Sequence, residues 1–572
     1  MRVRPSALPL VTLVLLLLTG ALPTGRSATA QELAPVDLRA VDSIFGAFDG
    51  EDTPGCAVGA SIRGEPVLLR AYGMADLEHG VPNTPTTIFE PGSVSKQFTA
   101  AATILLALDG AISLDDDVRT YIPELPDYGE TITIRHLLNH TSGLRDWGSV
   151  AGIEGWPRTR RAHEHIHVLD IAGRQGELNY PPGRYYSYTN TGYNLQAILV
   201  SRVSGMSFAE FSKERIFEPL GMTRTQWRDD FNRIVKDRAI AYRPHAEEGW
   251  SMLMPFENIH GNGGLLTTVG DLLKFTRNLE TGELGGPEFI REMHRQGVLT
   301  SGEEISYASG LVIGEHRGLP EVSHSGSTAG YRGHLSRFPE QGLALAVMCN
   351  AANGNAGGHL YQVADLYLEE LLPDGAEGED EGGSSSAAQE ARAAVGQVVS
   401  QARLQALAGG YRDERRGTLT RLVFDEGILR LGRTPLVPLS ETRFRVGDDG
   451  LLEFEDTPSA HGRPAASLDT EGSPPIRLDP VPAFEPTEAE LAHYLGTYRS
   501  DEAEATYTVA MEEGEMVIRD RWGRSQSVRP LYPDAFGTGR GTVIFRRGAS
   551  GAVTGFSLSQ SRVWDLQFRK VE

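Results

Sequence analysis

Residues Asp374 to Ala388 carry no large apolar side chain; they hold Glu377, Glu379, Asp380 and Glu381, then Gly-Gly-Ser-Ser-Ser. Such a stretch cannot bury enough surface to offset the entropy of ordering it. The chain therefore divides there, and each side has to supply a core of its own. Its 572 residues are enough for two or more domains. The organisation read from this break is a leader over 1–30, a first domain over 31–373, a linker over 374–390 and a second domain over 391–572. The linker predicts two domains separable by limited proteolysis.

In the first domain, Val36 to Phe48 has helical spacing. Cys56–Ile62 and Pro66–Tyr72 form two strands around the hairpin signal Arg63-Gly64-Glu65. Helices are predicted from Ser93, over Thr133 to His140, over Ser207 to Ile216, over Val269 to Leu279 with Thr268 as cap, and over Gly358 to Leu371. Asp146 to Gln175 reads as a polar stretch bearing Trp and His. About three late strands lie between Glu321 and Asn350. Early and late strands flanking a helical middle suit one antiparallel sheet with an inserted helical lobe, an α+β class. Beyond the linker, short alternating strands dominate. Leu407-Ala-Gly-Gly-Tyr411-Arg412 is echoed by Leu495-Gly-Thr-Tyr498-Arg499. Two related meanders suggest a barrel, which removes exposed edges.

The net charge of −22 argues against nucleic acid and anionic membranes as partners. Arg2 and Arg4, the apolar run from Leu8 to Leu22 and Ala28-Thr29-Ala30 read as a signal peptide cleaved before Gln31. An exported protein, periplasmic or extracellular, with no membrane span after cleavage is expected. Cys56 and Cys349 are the two cysteines. Two buried thiols are the simpler reading, and an oxidising compartment leaves a disulfide open.

The chemistry centres on Glu90-Pro91-Gly92-Ser93-Val94-Ser95-Lys96. Pro91 and Gly92 break the preceding strand, and Ser93 stands where a helix begins. Lys96 lies on the same helix face, three residues on. A serine needs a base to become a nucleophile, and a lysine serves once its pKa is lowered. The plainer alternative is a capping serine before an exposed lysine. Tyr188-Thr189-Asn190 offers a phenol to shuttle a proton and an amide to orient lysine and substrate; each also suits a core aromatic and a turn. His324-Ser325-Gly326-Ser327 starts a late strand whose N–H could face that of Ser93 across a carbonyl.

In this order and at these spacings, the three motifs resemble the serine β-lactamase and penicillin-binding-protein superfamily, in the class C-related branch that also holds esterases and D-amino-acid peptidases. The resemblance spans about Val36 to Leu372 and includes Leu137-Leu-Asn-His-Thr-Ser-Gly-Leu144 and Gly263-Gly264-Leu265. It implies a β-lactamase-like fold followed by a lipocalin-like all-β domain. It also implies an acyl-enzyme on Ser93, with Lys96 and Tyr188 sharing proton transfers. Ser93 and Ser327 then form the oxyanion hole beside Gly326, and Asn190 and His324 contact substrate. No metal or organic cofactor is implied. The expected partner is a small-molecule or peptide substrate, with peptidoglycan among the candidates and a homo-oligomer left open.

In most β-lactamases the late-strand motif begins with Lys. His324 in its place points toward esters or D-residue peptides, with any β-lactam turnover rising as pH falls through the His324 pKa. Arg332 is the alternative source of a cation. Competing readings are a true class C-like β-lactamase and an inactive peptidoglycan-binding or sensor protein. A Gly-x-Ser-x-Gly hydrolase is weaker, since Gly326-Ser-Thr-Ala-Gly330 has Thr at its centre. His163, His165 and His167 are read as a solvated helix face rather than metal ligands.

Overall fold

The computed structural model describes residues 33–48, 50–372, 390–395, 398–447, 450–470, 473–539 and 541–571. The leader over 1–30 and the stretch Asp374 to Ala388 lie outside them. Among the described residues no helix is long and apolar enough to cross a membrane.

One antiparallel sheet organises the first domain. Its order is Glu65–Tyr72, Cys56–Ile62, Leu343–Cys349, Tyr331–Phe338, Leu319–Thr328, Val312–His316. The N-terminal hairpin thus pairs with the last strand, as the order of elements in the sequence predicts. The late strands number four, because Val312–His316 adds an edge. Side chains alternate across the sheet. Cys56, Val58, Ala60, Leu345 and Val347 face the helices Leu38–Ile44 and Ala356–Leu368. Ala57, Ala346 and Met348 face Val269–Thr281 and the helical lobe. Both faces are covered, which is why these strands read as continuous apolar runs.

Cys56 and Cys349 stand directly opposite one another in register and form a disulfide, so the simpler reading of two free thiols is corrected. The pairing follows from strand register, which neither local sequence specifies. Thr268 caps its helix by accepting from the Asp271 N–H. Ser207–Ile216 is not one helix: an α-helical turn over Phe208–Ser212 runs into a π-helical turn over Lys213–Phe217.

The C-terminal region is all β, as expected, yet its repeat does not build one barrel. Strands from Gly409–Asp413 to Ser473–Val481 close an eight-stranded barrel. Strands between Gly496–Ser500 and Leu566–Lys570 form a separate nine-stranded sheet. Each copy uses the same local device: Tyr411 Oη donates to the Leu407 carbonyl and Tyr498 Oη to that of Tyr494, each four residues back.

The second sheet shares a core with the first domain. The polar-looking stretch from Asp146 folds into helices Trp147–Glu154 and His165–Gly173. Trp147, Val150, Ala151, Ile153, Val168 and Ile171 pack with Tyr498, Tyr507, Phe556 and Phe568. Around this core, Tyr507 Oη donates to the Ile153 carbonyl at 2.9 Å, and buried Arg145 pairs with Glu502 at 2.6 Å. The two regions therefore share one packed core at this face. His163 is buried against Trp147 and binds the Trp156 carbonyl; His165 binds that of His260. They are packing and backbone-satisfying groups, which corrects the reading of a solvated face.

Candidate active site

The turn before Ser93 is forced by close backbone approach. Gly92 has φ +57°, and a Cβ there would stand 2.4 Å from the Ser327 nitrogen. A Cβ on Gly326 would lie 1.9 Å from the Pro91 carbonyl oxygen and 2.7 Å from the Ser93 nitrogen. Two glycines therefore let the late strand touch the nucleophile turn, so the Ser93 and Ser327 N–H groups share one locale. Ser95 locks the turn, donating to the Gly92 carbonyl at 2.6 Å and accepting from the Leu265 N–H at 3.2 Å. Beneath it lies a fully buried, two-point ion pair, Glu90 with Arg228, at 2.9 and 3.0 Å. A 3₁₀ turn over Gly92–Ser95 leads into the helix Lys96–Leu108.

Lys96 has no solvent exposure. Its Nζ is 3.3 Å from Ser93 Oγ, 3.0 Å from Asn190 Oδ1 and 2.7 Å from the Asn262 carbonyl. Burial drives its pKa well below that of an ordinary lysine, and the positive charges of Arg562 and Arg158 push it further down, against Asp146. A depressed ammonium pKa leaves a neutral amine available as base. The amine also sits over the Tyr188 ring, 4.8 Å from its centroid.

Tyr188 is oriented oppositely in its acid–base behaviour. Burial raises its pKa, so the phenol keeps its proton. Ser93 is close enough to oppose that shift, yet the Tyr188 hydroxyl meets no partner of hydrogen-bond geometry. Its ring is held by His140 at 4.2 Å. Asn190 is fixed from behind, its N–H donating to Asp146 Oδ2 at 2.8 Å.

His324 lies in the same pocket but cannot be a cation. Nδ1 faces the Ser325 carbonyl at 2.6 Å and so carries the proton. Nε2 then accepts from the Tyr307 hydroxyl at 3.0 Å. Burial, with Lys96 nearby, lowers its pKa to about 3. A pKa that low leaves the ring neutral near pH 7, so no gain of β-lactam turnover from His324 protonation is expected there.

The cavity over Ser93 measures about 710 Å³. All the predicted site residues meet here: Ser93, Tyr188, Asn190, His324, Gly326 and Ser327 line it, and Lys96 lies directly beneath Ser93. Sequence reasoning missed Tyr307, Asn262, Asp146 and Arg562. Tyr307 acts through its hydroxyl on His324, Asn262 through its carbonyl on Lys96 and Asp146 through its carboxylate on the Asn190 N–H, and no local motif marks these distant partners. Arg562 belongs to the C-terminal sheet, so only the docking of the two regions reveals it.

Known proteins resemble this chain in sequence and in fold. The chain is 31% identical over 316 residues to penicillin-binding protein 4* of Bacillus subtilis strain 168, covering 50% of this chain and 66% of that one. It is 26% identical over 557 residues to a D-aminopeptidase of Gluconobacter oxydans strain 621H, covering 93% of this chain and 98% of the relative. The octameric penicillin-binding protein homologue from Pyrococcus abyssi superposes with a TM-score of 0.54 at 25% identity, over 77% of this chain and 99% of that one. The family model described as Beta-lactamase matches residues 41–369, more than half of the chain. With its sheet, helical lobe and pocket in place, the protein belongs to the Beta-lactamase family of serine hydrolases and penicillin-binding proteins.

Proposed function

We propose that the protein is an exported hydrolase that cleaves an ester or amide, with D-residue peptides as the leading amide class, through a Ser93 acyl-enzyme. The observation that carries this reading is a fully buried Lys96 amine 3.3 Å from Ser93 Oγ, held at low pKa. The neutral amine takes the Ser93 proton as Oγ attacks the carbonyl carbon. The tetrahedral oxyanion lies against the Ser93 and Ser327 N–H groups. Tyr188, which retains its proton, relays one to the leaving group and is reprotonated from Lys96. Water then attacks the acyl carbon and releases Ser93. Asn190 holds Lys96 in line and lines the substrate channel.

The D-aminopeptidase relative, similar over nearly the whole chain, supports the D-residue class. The neutral His324 supports esters and amides over β-lactams. The leader features of residues 1–30 support export, as does the Cys56–Cys349 disulfide. Intact-mass spectrometry after exposure to a fluorophosphonate, a penicillin and D-alanyl peptides tests the mechanism. A stable adduct on Ser93 is expected; an adduct mapping elsewhere overturns it. A mature N-terminus at Gln31 on the exported protein tests the leader.

A further inference from the structure

Arg562 enters the active-site cavity from the C-terminal sheet, on the loop between strands Val553–Ser559 and Leu566–Lys570. The loop is pinned from both sides. The Arg562 carbonyl accepts from the Asp146 N–H and from Asn179 Nδ2, each at 3.2 Å. The Trp564 N–H donates to Asn179 Oδ1 at 2.8 Å, and the Trp564 carbonyl accepts from buried Arg145 at 3.2 Å. Asn179 thus clamps the loop through both ends of its amide, and the guanidinium is delivered on a fixed support. It lies over the Tyr188 ring, 4.9 Å from the centroid, close to the reacting serine.

The cavity is electrostatically one-sided. Arg158, Arg332 and Arg562 line it, and no Asp or Glu among its described lining residues balances them. Arg158 is taken up by a two-point pair with Glu257. Arg332 donates to the Ala329 and Tyr331 carbonyls. Among the described residues, the Arg562 guanidinium makes no hydrogen bond. The nearest carboxylate is Asp146 at 4.0 Å, whose oxygens already accept from Asn190 and Ser149. A planar fork of unspent donors at the edge of a cavity matches a carboxylate in two-point fashion. His324, being neutral, leaves that charge unmet on the sheet side.

We propose that Arg562, supplied by the C-terminal sheet, is the substrate-binding residue for an anionic group, and that the preferred substrate carries a carboxylate near its scissile bond. This rests on the Ser93 reading of the pocket. A protonated α-amino group is disfavoured by the same charge, so an N-blocked or acidic substrate suits the site better than a free amine.

The test compares substrate pairs that differ in one charge. On the leaving-group side these are 3-carboxyphenyl acetate and 3-carbamoylphenyl acetate. On the acyl side they are the p-nitrophenyl monoester of adipic acid and its methyl ester. The readout is the ratio of kcat/KM, charged over neutral, which cancels any general loss of activity. Wild type is expected to favour the charged member of at least one pair. In Arg562→Gln that ratio falls at least tenfold, chiefly through KM, and Arg562→Lys restores most of it. A ratio unchanged in Arg562→Gln, or lost in Arg332→Gln instead, overturns the assignment. Should Arg562→Gln fail to fold, a wild type that cleaves the neutral member of both pairs as fast as its charged twin overturns it equally. Failure of the Ser93 reading is distinct: turnover and fluorophosphonate labelling would then survive Ser93→Ala.

Discussion

On the Ser93 reading the active form carries a neutral Lys96 amine, so activity is expected above the folded Lys96 pKa and lost as pH falls through it. Since burial, Arg562 and Arg158 all lower that pKa, the acid limb of kcat/KM is expected well below the range of an ordinary lysine, about 10.4. Removing a cation raises a lysine pKa, so Arg562→Gln should shift this limb to higher pH, while Arg562→Lys should leave it near the wild-type position. A pH–rate profile of the three proteins checks both statements. Ser93→Ala should abolish covalent labelling and reduce turnover by several orders of magnitude, with the circular dichroism spectrum unchanged. His324→Lys should raise β-lactam acylation relative to neutral ester cleavage. A charge-assisted hydrogen bond contributes about 1.5–3 kcal/mol, or roughly ten- to a hundredfold in rate. Equal cephalosporin and ester cleavage by wild type, with a ratio that His324→Lys leaves alone, would contradict the specificity argued from His324.

At the scale of elements, the site depends on contact between a turn and a strand. Ser93 and Ser327 are far apart in the chain, and their N–H groups converge because Gly92 and Gly326 allow backbone to meet backbone. Gly326→Ala places a methyl group 1.9 Å from the Pro91 oxygen, so strand and turn must part. Losing one oxyanion donor costs on the order of 10²–10³ in kcat, and that is the fall expected for this variant. A wild-type rate in a folded Gly326→Ala protein would show that the strand N–H takes no part. The glycines themselves are legible in the sequence as Pro-Gly-Ser and Ser-Gly-Ser. How closely they approach one another is not, because the contact runs between segments separated by most of the domain.

Across the whole molecule, the two regions meet through a mixed core. Six first-domain side chains, from Trp147 to Ile171, have the C-terminal sheet as their cover. Burying a large apolar side chain contributes about 1.5–3 kcal/mol, so this contact contributes on the order of ten kcal/mol before entropy is counted. Proteolysis within 374–389 is expected to leave the two fragments associated, coeluting in native size exclusion and still active. Fragments that separate under native conditions would show that the shared core is weak. A chain ending near Leu372 should aggregate or lose thermal stability, and it should lose the preference for charged substrates with Arg562.

The sequence alone made legible the α+β class and singled out Ser93, Lys96, Tyr188, Asn190 and His324, which the structure brings together at one pocket. These are set locally, by hydrophobic period, turn residues and short motifs whose members lie within a few residues of one another. Only the tertiary structure decided that Cys56 and Cys349 pair, since register across a sheet fixes which side chains face each other. It also decided that the C-terminal repeat forms two β units, because a repeated meander can close on itself or on its neighbour, and closure depends on side chains contributed around the full circuit. The apolar residues of the helices from Trp147 and from His165 are scattered among polar ones, and the sheet they pack against comes some 350 residues later. The same docking brings Arg562 into the cavity that Ser93 lines. Its charge acts across space on Lys96, and nothing in the residues around position 562 records that destination.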